Sequence, residues 1–164
     1  MTLTFRPMTP ADVQTFIAWR YDPPYDIYNI IVTDQECEGL VSFYVDPANR
    51  AYAIDDEYGV IAAFCSFGAD GQVPGGDYSA DALDIGMGVR PDLTGQGLGQ
   101  QFANAVIDFA QCVFTPPLLR VTIASFNLRA QRVWVKLGFR SIQEFQPSGD
   151  GMPFVIFTRN ADLM

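Results

Sequence analysis

Gly95, Gly97 and Gly99 occupy alternate positions in the stretch RPDLTGQGLGQQFANAVIDFA, residues 90–110. Three residues without side chains, set just before an apolar pattern of helical period, leave backbone N–H groups bare at a helix N-terminus. The helix dipole favours negative charge at that end. The chemistry such a loop offers is anion binding, and a diphosphate is its natural occupant. A dinucleotide fingerprint G-x-G-x-x-G would need glycine at position 100, where the chain has Gln100. A Walker-type loop would need G-K-[ST] after the glycines, and that run is absent.

Side chains able to move protons are few. The chain has no histidine and one lysine, Lys136, which removes imidazole triads and most Schiff-base schemes. The candidate bases are Asp84, in the strand-like stretch ALDIGMGV (82–89), and Asp26, in the Pro- and Tyr-rich stretch YDPPYDIYN (21–29). Alternation puts Asp84 on the face of Gly86 and Gly88. Tyr25, Tyr28 and Tyr78 can pack, line a pocket or donate a phenolic proton. Cys37, Cys65 and Cys112 are odd in number, far apart and without C-x-x-C spacing, so they read as separate thiols and not as a disulfide framework or a zinc site. Any metal would depend on scattered carboxylates, and no metal is expected.

The elements that must position these groups can be read in order. TFRPM (4–8) reads as a short strand, and Thr9-Pro10-Ala11-Asp12 as a helix start with Thr9 as N-cap and Asp12 in the capping-box position. That helix runs to about residue 20, where the prolines of 21–29 stop it. A second helix over 33–45 precedes strands at 51–55 and 59–67. A glycine-rich loop (68–80) leads into 82–89, whose Gly86 and Gly88 suggest a bulge. Phe102, Val106, Phe109 and Val113 predict a helix over 97–113. LLRVTIA (118–124) is a strand, Asn127 caps a helix to about Leu137, Gly138 stops it, and strands near 139–146 and 153–159 follow. The order βααβββαβαββ is an α/β plan with one mixed sheet.

The chain has 164 residues, 49% hydrophobic and 18% charged, with a net charge of −9. Residues 1–92 hold 15 acids and 4 bases, whereas residues 93–164 hold 4 acids and 6 bases. An acidic first half disfavours nucleic acid and favours a cationic partner. No apolar run is long enough for a membrane span, and the N-terminus lacks a secretory pattern, so a cytoplasmic protein is expected.

GVRPDLTGQGLGQQF followed by NLRAQRVWVKLGF resembles the two signature regions of the GNAT superfamily of N-acetyltransferases, a pyrophosphate loop [QR]-x-x-G-x-[GA] and an N-x-x-A-x-x-x-Y-x-K-x-G-F region. The likeness is close over residues 82–140. It implies one domain over 1–164, with a single mixed, mostly antiparallel sheet flanked by helices, and an acetyl-CoA-dependent N-acetyltransferase. It implies that Thr94, Gly95, Gln96, Gly97, Leu98 and Gly99 form the pyrophosphate loop. Thr94 stands where the family usually has Gln or Arg and offers only its backbone N–H. The backbone of Met87, Gly88 and Val89 would pair with the pantetheine arm and bind the acetyl oxygen, and Asn127 would contact the cofactor as well as capping its helix. Trp134 stands where the family often has a tyrosine that protonates the departing thiolate, and an indole N–H is far too weak an acid for that. WRYDPPYDIYNI (19–30) resembles the acceptor-site loop of bacterial GNAT proteins akin to ribosomal-protein alanine acetyltransferases. Members of the family often form dimers, which implies a homodimer without indicating its surface.

Two function classes follow. One is direct acetyl transfer to a cationic primary amine, on a small molecule or a protein N-terminus, with Asp84 or Asp26 as base. The other is a CoA-binding sensor or interaction module of weak catalysis, for which Trp134 argues.

Overall fold

A computed structural model describes residues 1–147 and 151–161. The elements are strand β1 (Thr4–Pro7), helices α1 (Pro10–Ile17) and α2 (Asp34–Val45), and strands β2 (Ala51–Asp55), β3 (Ile61–Phe67) and β4 (Leu83–Val89). Helix α3 (Gly99–Phe114), strand β5 (Leu118–Ala124), helix α4 (Leu128–Lys136) and strands β6 (Arg140–Phe145) and β7 (Phe154–Asn160) follow. The order is the one expected from the sequence. Hydrogen-bonded strands run β1-β2-β3-β4-β5-β7-β6 in one seven-stranded sheet. It is mixed because β4 and β5 are parallel, whereas β1·β2, β2·β3, β5·β7 and β6·β7 are antiparallel. Among the described residues no helix is long and apolar enough to cross a membrane.

The chain groups into two compact units, Met1–Ser66 with Met87–Gln96, and Phe67–Gly86 with the described residues from Gly97 onward. In the first, the reciprocal capping box is present: the Asp12 N–H donates to Thr9 Oγ1 at 3.3 Å and the Thr9 N–H to Asp12 Oδ2 at 2.8 Å. Arg6 adds a clamp, donating to Asp12 at 2.7 and 2.8 Å and to Asp55 at 2.7 and 3.1 Å. Burial alone would raise the Asp12 carboxyl, but the hydrogen bonds from Arg6 and Thr9 outweigh it and hold the group below its ordinary value. Helix α1 stops at Ile17, short of residue 20. Its last turn tightens into the bonds Ala18 N–H to Thr15 O and Trp19 N–H to Phe16 O. The α1 face buries Val13 and Phe16 in a core with Met8, Trp19, Ala53 and Ile61.

In the second unit, α3 buries Phe102, Ala103, Val106, Ile107 and Ala110, while Val113 is 49% exposed. The buried arc is therefore rotated from the one the large side chains alone suggest. Ala103 and Ala110 lie near its middle, where a small side chain lets a packed neighbour approach closely. Phe109 and Phe114 pack instead against Phe67, with ring centroids 6.0 and 5.1 Å away. At the end of α4, Gly138 adopts φ +92°, the left-handed stop expected of it.

Candidate active site

Past β4 the chain makes a single 3-10 turn at Pro91–Leu93. Both donors of Thr94 turn back onto the Pro91 carbonyl, Oγ1 at 2.6 Å and N–H at 3.2 Å. The amides without a protein acceptor therefore begin at Gly95 and not at Thr94. Gly95 and Gly97 adopt φ +69° and +76°, conformations that favour glycine. A Cβ at Gly97 would meet nothing within 4 Å, so the space before that backbone is open. Leu98 precedes α3 without a side-chain capping bond. Among the described residues, the N–H groups of Gly95, Gln96, Gly97, Leu98 and Gly99 have no protein acceptor. Uncapped amides, a dipole end and open space suit a diphosphate. Gly99 has a separate reason to be glycine, since a Cβ there would press on Val133 at 3.0 Å.

Met87, Gly88 and Val89 are the last three residues of β4, which is continuous over its length. A Cβ at Gly88 would lie 2.4 Å from the Phe64 ring. Phe64 is stacked on Phe16 at 4.2 Å and tilted against Trp19 at 6.0 Å, so it has little room to withdraw. The strand end is fixed by Arg90, whose N–H donates to Ala62 O at 2.9 Å and whose Nη1 donates to Ile61 O at 2.8 Å. The Tyr21 hydroxyl donates to Val89 O at 2.7 Å. Burial pushes that phenol up to about 12. Tyr21 did not stand out from its neighbours in the sequence, because its partner lies 68 residues away.

Asp84 is 2% exposed and held in a fork, with Arg120 Nε at 2.6 Å on one oxygen and Arg120 Nη2 at 2.8 Å on the other. Gln72 Nε2 also donates to Asp84 at 2.8 Å, and Arg120 Nη1 donates to Ala80 O at 3.1 Å. The hydrogen bond to Asp84 pushes the Arg120 guanidinium above its ordinary value. Asp84 and Arg120 are also register partners in the parallel β4·β5 ladder, which covers Leu83↔Leu119 and Asp84↔Arg120 while both strands run on. A carboxylate this fully engaged is in position to hold strands together. The Arg120 guanidinium lies over the Tyr78 ring, 4.9 Å from its centroid, and the Tyr78 hydroxyl accepts from the Val73 N–H at 2.9 Å and bonds Thr122 Oγ1 at 2.9 Å.

Asp26 is exposed, in the first turn of a 3-10 segment at Tyr25–Tyr28. Asn127 Oδ1 accepts from the Ala130 N–H at 3.1 Å, which makes it the N-cap of α4. Trp134 is 5% exposed and packs edge-on against Phe139 with centroids 5.0 Å apart. The thiols are free: Cys37 half-buried, Cys65 buried with burial pushing its thiol up, and Cys112 exposed. Among the described residues no three candidate ligands converge on a metal position.

The mixed sheet has parallel strands that pair over two residues and run on, followed by a turn with Gly95 and Gly97 just before the next helix. The family model for the acetyltransferase (GNAT) domain matches residues 2–140, and the chain belongs to that family of N-acetyltransferases. Solved structures share the fold at low identity. A chimera of the spermidine N-acetyltransferase SpeG from Vibrio cholerae and hSSAT superposes with TM-score 0.76 at 14% identity, covering 98% of this chain and 96% of that one. A GNAT-family acetyltransferase from Bacillus anthracis gives 0.75 at 14%, covering 99% and 97%. The Vibrio cholerae spermidine enzyme in complex with CoA and spermine gives 0.75 at 14%, covering 97% and 95%. No curated protein sequence matches the chain.

Proposed function

We propose that this chain, acting as one domain, moves the acetyl group of acetyl-CoA directly to the primary amine of a small cationic acceptor. The observation that carries the cosubstrate is the run of unpaired amides from Gly95 to Gly99 at the uncapped start of α3. A cationic acceptor is supported by the 15 acids against 4 bases of residues 1–92, and by the spermine held by a protein of the same fold.

The amine arrives protonated, and a carboxylate or a water chain takes that proton. Asp26, exposed in the 21–29 loop, is the candidate carboxylate, while Asp84 is occupied by Arg120 and serves the sheet. Backbone N–H groups at Met87–Val89 stabilise the oxyanion as the amine adds to the carbonyl. Collapse breaks the C–S bond, CoA leaves as its thiolate without a proton from Trp134, and the second amine proton passes to water or to that thiolate.

Turnover of acetyl-CoA against a panel of polyamines, monoamines, anionic amines and N-terminal peptides tests the reading. Cationic amines should react best, with kcat/KM falling as salt rises, because screening shortens to about 8 Å near physiological ionic strength. A preference for anionic amines would refute the acceptor class. CoA binding with no turnover on the whole panel would favour the second reading, a CoA-binding module, for which the buried Trp134 speaks.

Trp134→Phe should leave kcat within about threefold, far from the roughly 10²–10⁴-fold that general-acid help supplies, because no proton transfer is lost. The vacated volume beside Phe139 should lower the melting temperature. Steady-state kinetics with thermal denaturation check both, and a large kcat loss at intact CoA affinity would give the indole a catalytic part.

A further inference from the structure

The segment from Tyr21 to Asn29 closes on itself. The Tyr21 N–H donates to Asn29 Oδ1 at 2.7 Å, the Tyr25 N–H to Asp22 O at 2.9 Å, and the Asn29 N–H to Asp26 O at 3.1 Å. A loop whose ends meet and whose interior is bonded moves as a compact body. Its outer surface carries Asp22 and Asp26 beside Ile27 and Tyr28, which are 49% and 40% exposed. The Tyr21 side chain points the other way, and its hydroxyl donates to the carbonyl of Val89, the last residue of β4. That strand end is itself pinned by Arg90 to Ile61 and Ala62. One phenol therefore joins a closed loop to a strand end held by two hydrogen bonds from Arg90.

We propose that Tyr21 is a positioning residue for the amine acceptor: its hydroxyl fastens the closed 21–29 loop to the end of β4, so that an amine held by the loop stays in register with the Met87–Val89 backbone. The inference rests on the acetyl-transfer reading of that strand. The Tyr21 proton is committed to a carbonyl; a phenol is un-ionised through the neutral range, and burial pushes this one further up, to about 12. The contribution is therefore geometric, with no part in proton transfer.

Tyr21→Phe keeps the ring and removes the one hydroxyl. The acceptor KM should rise about 3- to 10-fold, as loss of one neutral hydrogen bond of ordinary strength allows, with the acetyl-CoA KM unchanged. Asn29→Ala, which opens the loop from its other end, should raise the acceptor KM in the same direction. Hydrogen exchange on the free protein provides a readout independent of turnover: amides of residues 22–29 should exchange faster in Tyr21→Phe, while those of α1 keep their parent rates. An unchanged acceptor KM in Tyr21→Phe, or equal rises for both substrates, overturns the proposal. If the parent protein turns over no amine, the acetyl-transfer reading fails by itself. Exchange then decides the fastening, faster rates in 22–29 upholding it and unchanged rates overturning it.

Discussion

Gly97→Asp is expected to abolish CoA binding while leaving the protein folded. Gly97 adopts φ +76°, a conformation that a residue with a Cβ adopts only under strain. That strain costs about 1–2 kcal/mol, too little to unfold a domain of ordinary stability. A Cβ there meets no protein atom within 4 Å, so the packing has nothing to lose. The ligand has a great deal to lose. If the loop holds a diphosphate as proposed, the added carboxylate sets a negative charge against it. Gly97→Ala separates the two contributions, since it keeps the strain and the added atom but not the charge, and it should weaken binding by less. Calorimetric titration with CoA, beside a melting curve for each variant, gives the answer. Full affinity in a folded Gly97→Asp protein would remove the loop from the binding site.

Arg120→Ala should be the most destabilising change in the second unit. Its partner Asp84 would keep a buried carboxylate with only Gln72 to satisfy it; the two side chains are now 2% and 3% exposed. Breaking a buried ion pair from one side costs about 3–5 kcal/mol, whereas replacing both members by apolar residues of similar volume is often neutral. The pair Asp84→Leu with Arg120→Met should therefore be more stable than either single variant. Urea denaturation of the parent, both singles and the double measures this. A loss below about 1 kcal/mol for Arg120→Ala would mean that water reaches the carboxylate. The same series bears on chemistry: if Asp84 only holds the sheet, a folded double variant keeps acetyl transfer, and if it is the base, the double variant loses it.

What was legible in the sequence follows from the range of each signal. The order of elements is readable because its marks are local: the Thr9–Asp12 capping box before α1, Asn127 before α4 and Gly138 after it. Strand β2 spans Ala51–Asp55, the stretch that the sequence marks. The face of α3 was read less well, since Ala103 and Ala110 carry little hydrophobic signal yet sit deep. For the site, the alternating glycines mark a candidate anion loop, and the left-handed φ angles of Gly95 and Gly97 give a backbone reason for glycine at those two positions. Asp84 drew attention as a carboxylate near the glycines, but its partner Arg120 lies 36 residues on, beyond any local pattern. Tyr21 and Val89 are further apart still. Partners of this kind become visible only when the strands are laid side by side.

The contact between Gly88 and Phe64 has a consequence for how related sequences can vary. The strand end is bare at 88 because an aromatic ring occupies the space that a Cβ would fill. A change at either position alone is therefore penalised, either by overlap or by a void, whereas a compensated exchange is not. Among relatives with this core, an alanine or serine at 88 should accompany a smaller residue at 64, and an aromatic at 64 should accompany glycine at 88. Because Phe64 rests on Phe16, the dependence should extend weakly to position 16. The glycine is then one half of a co-varying pair, and its substitution record should be read jointly with that of a residue on another strand.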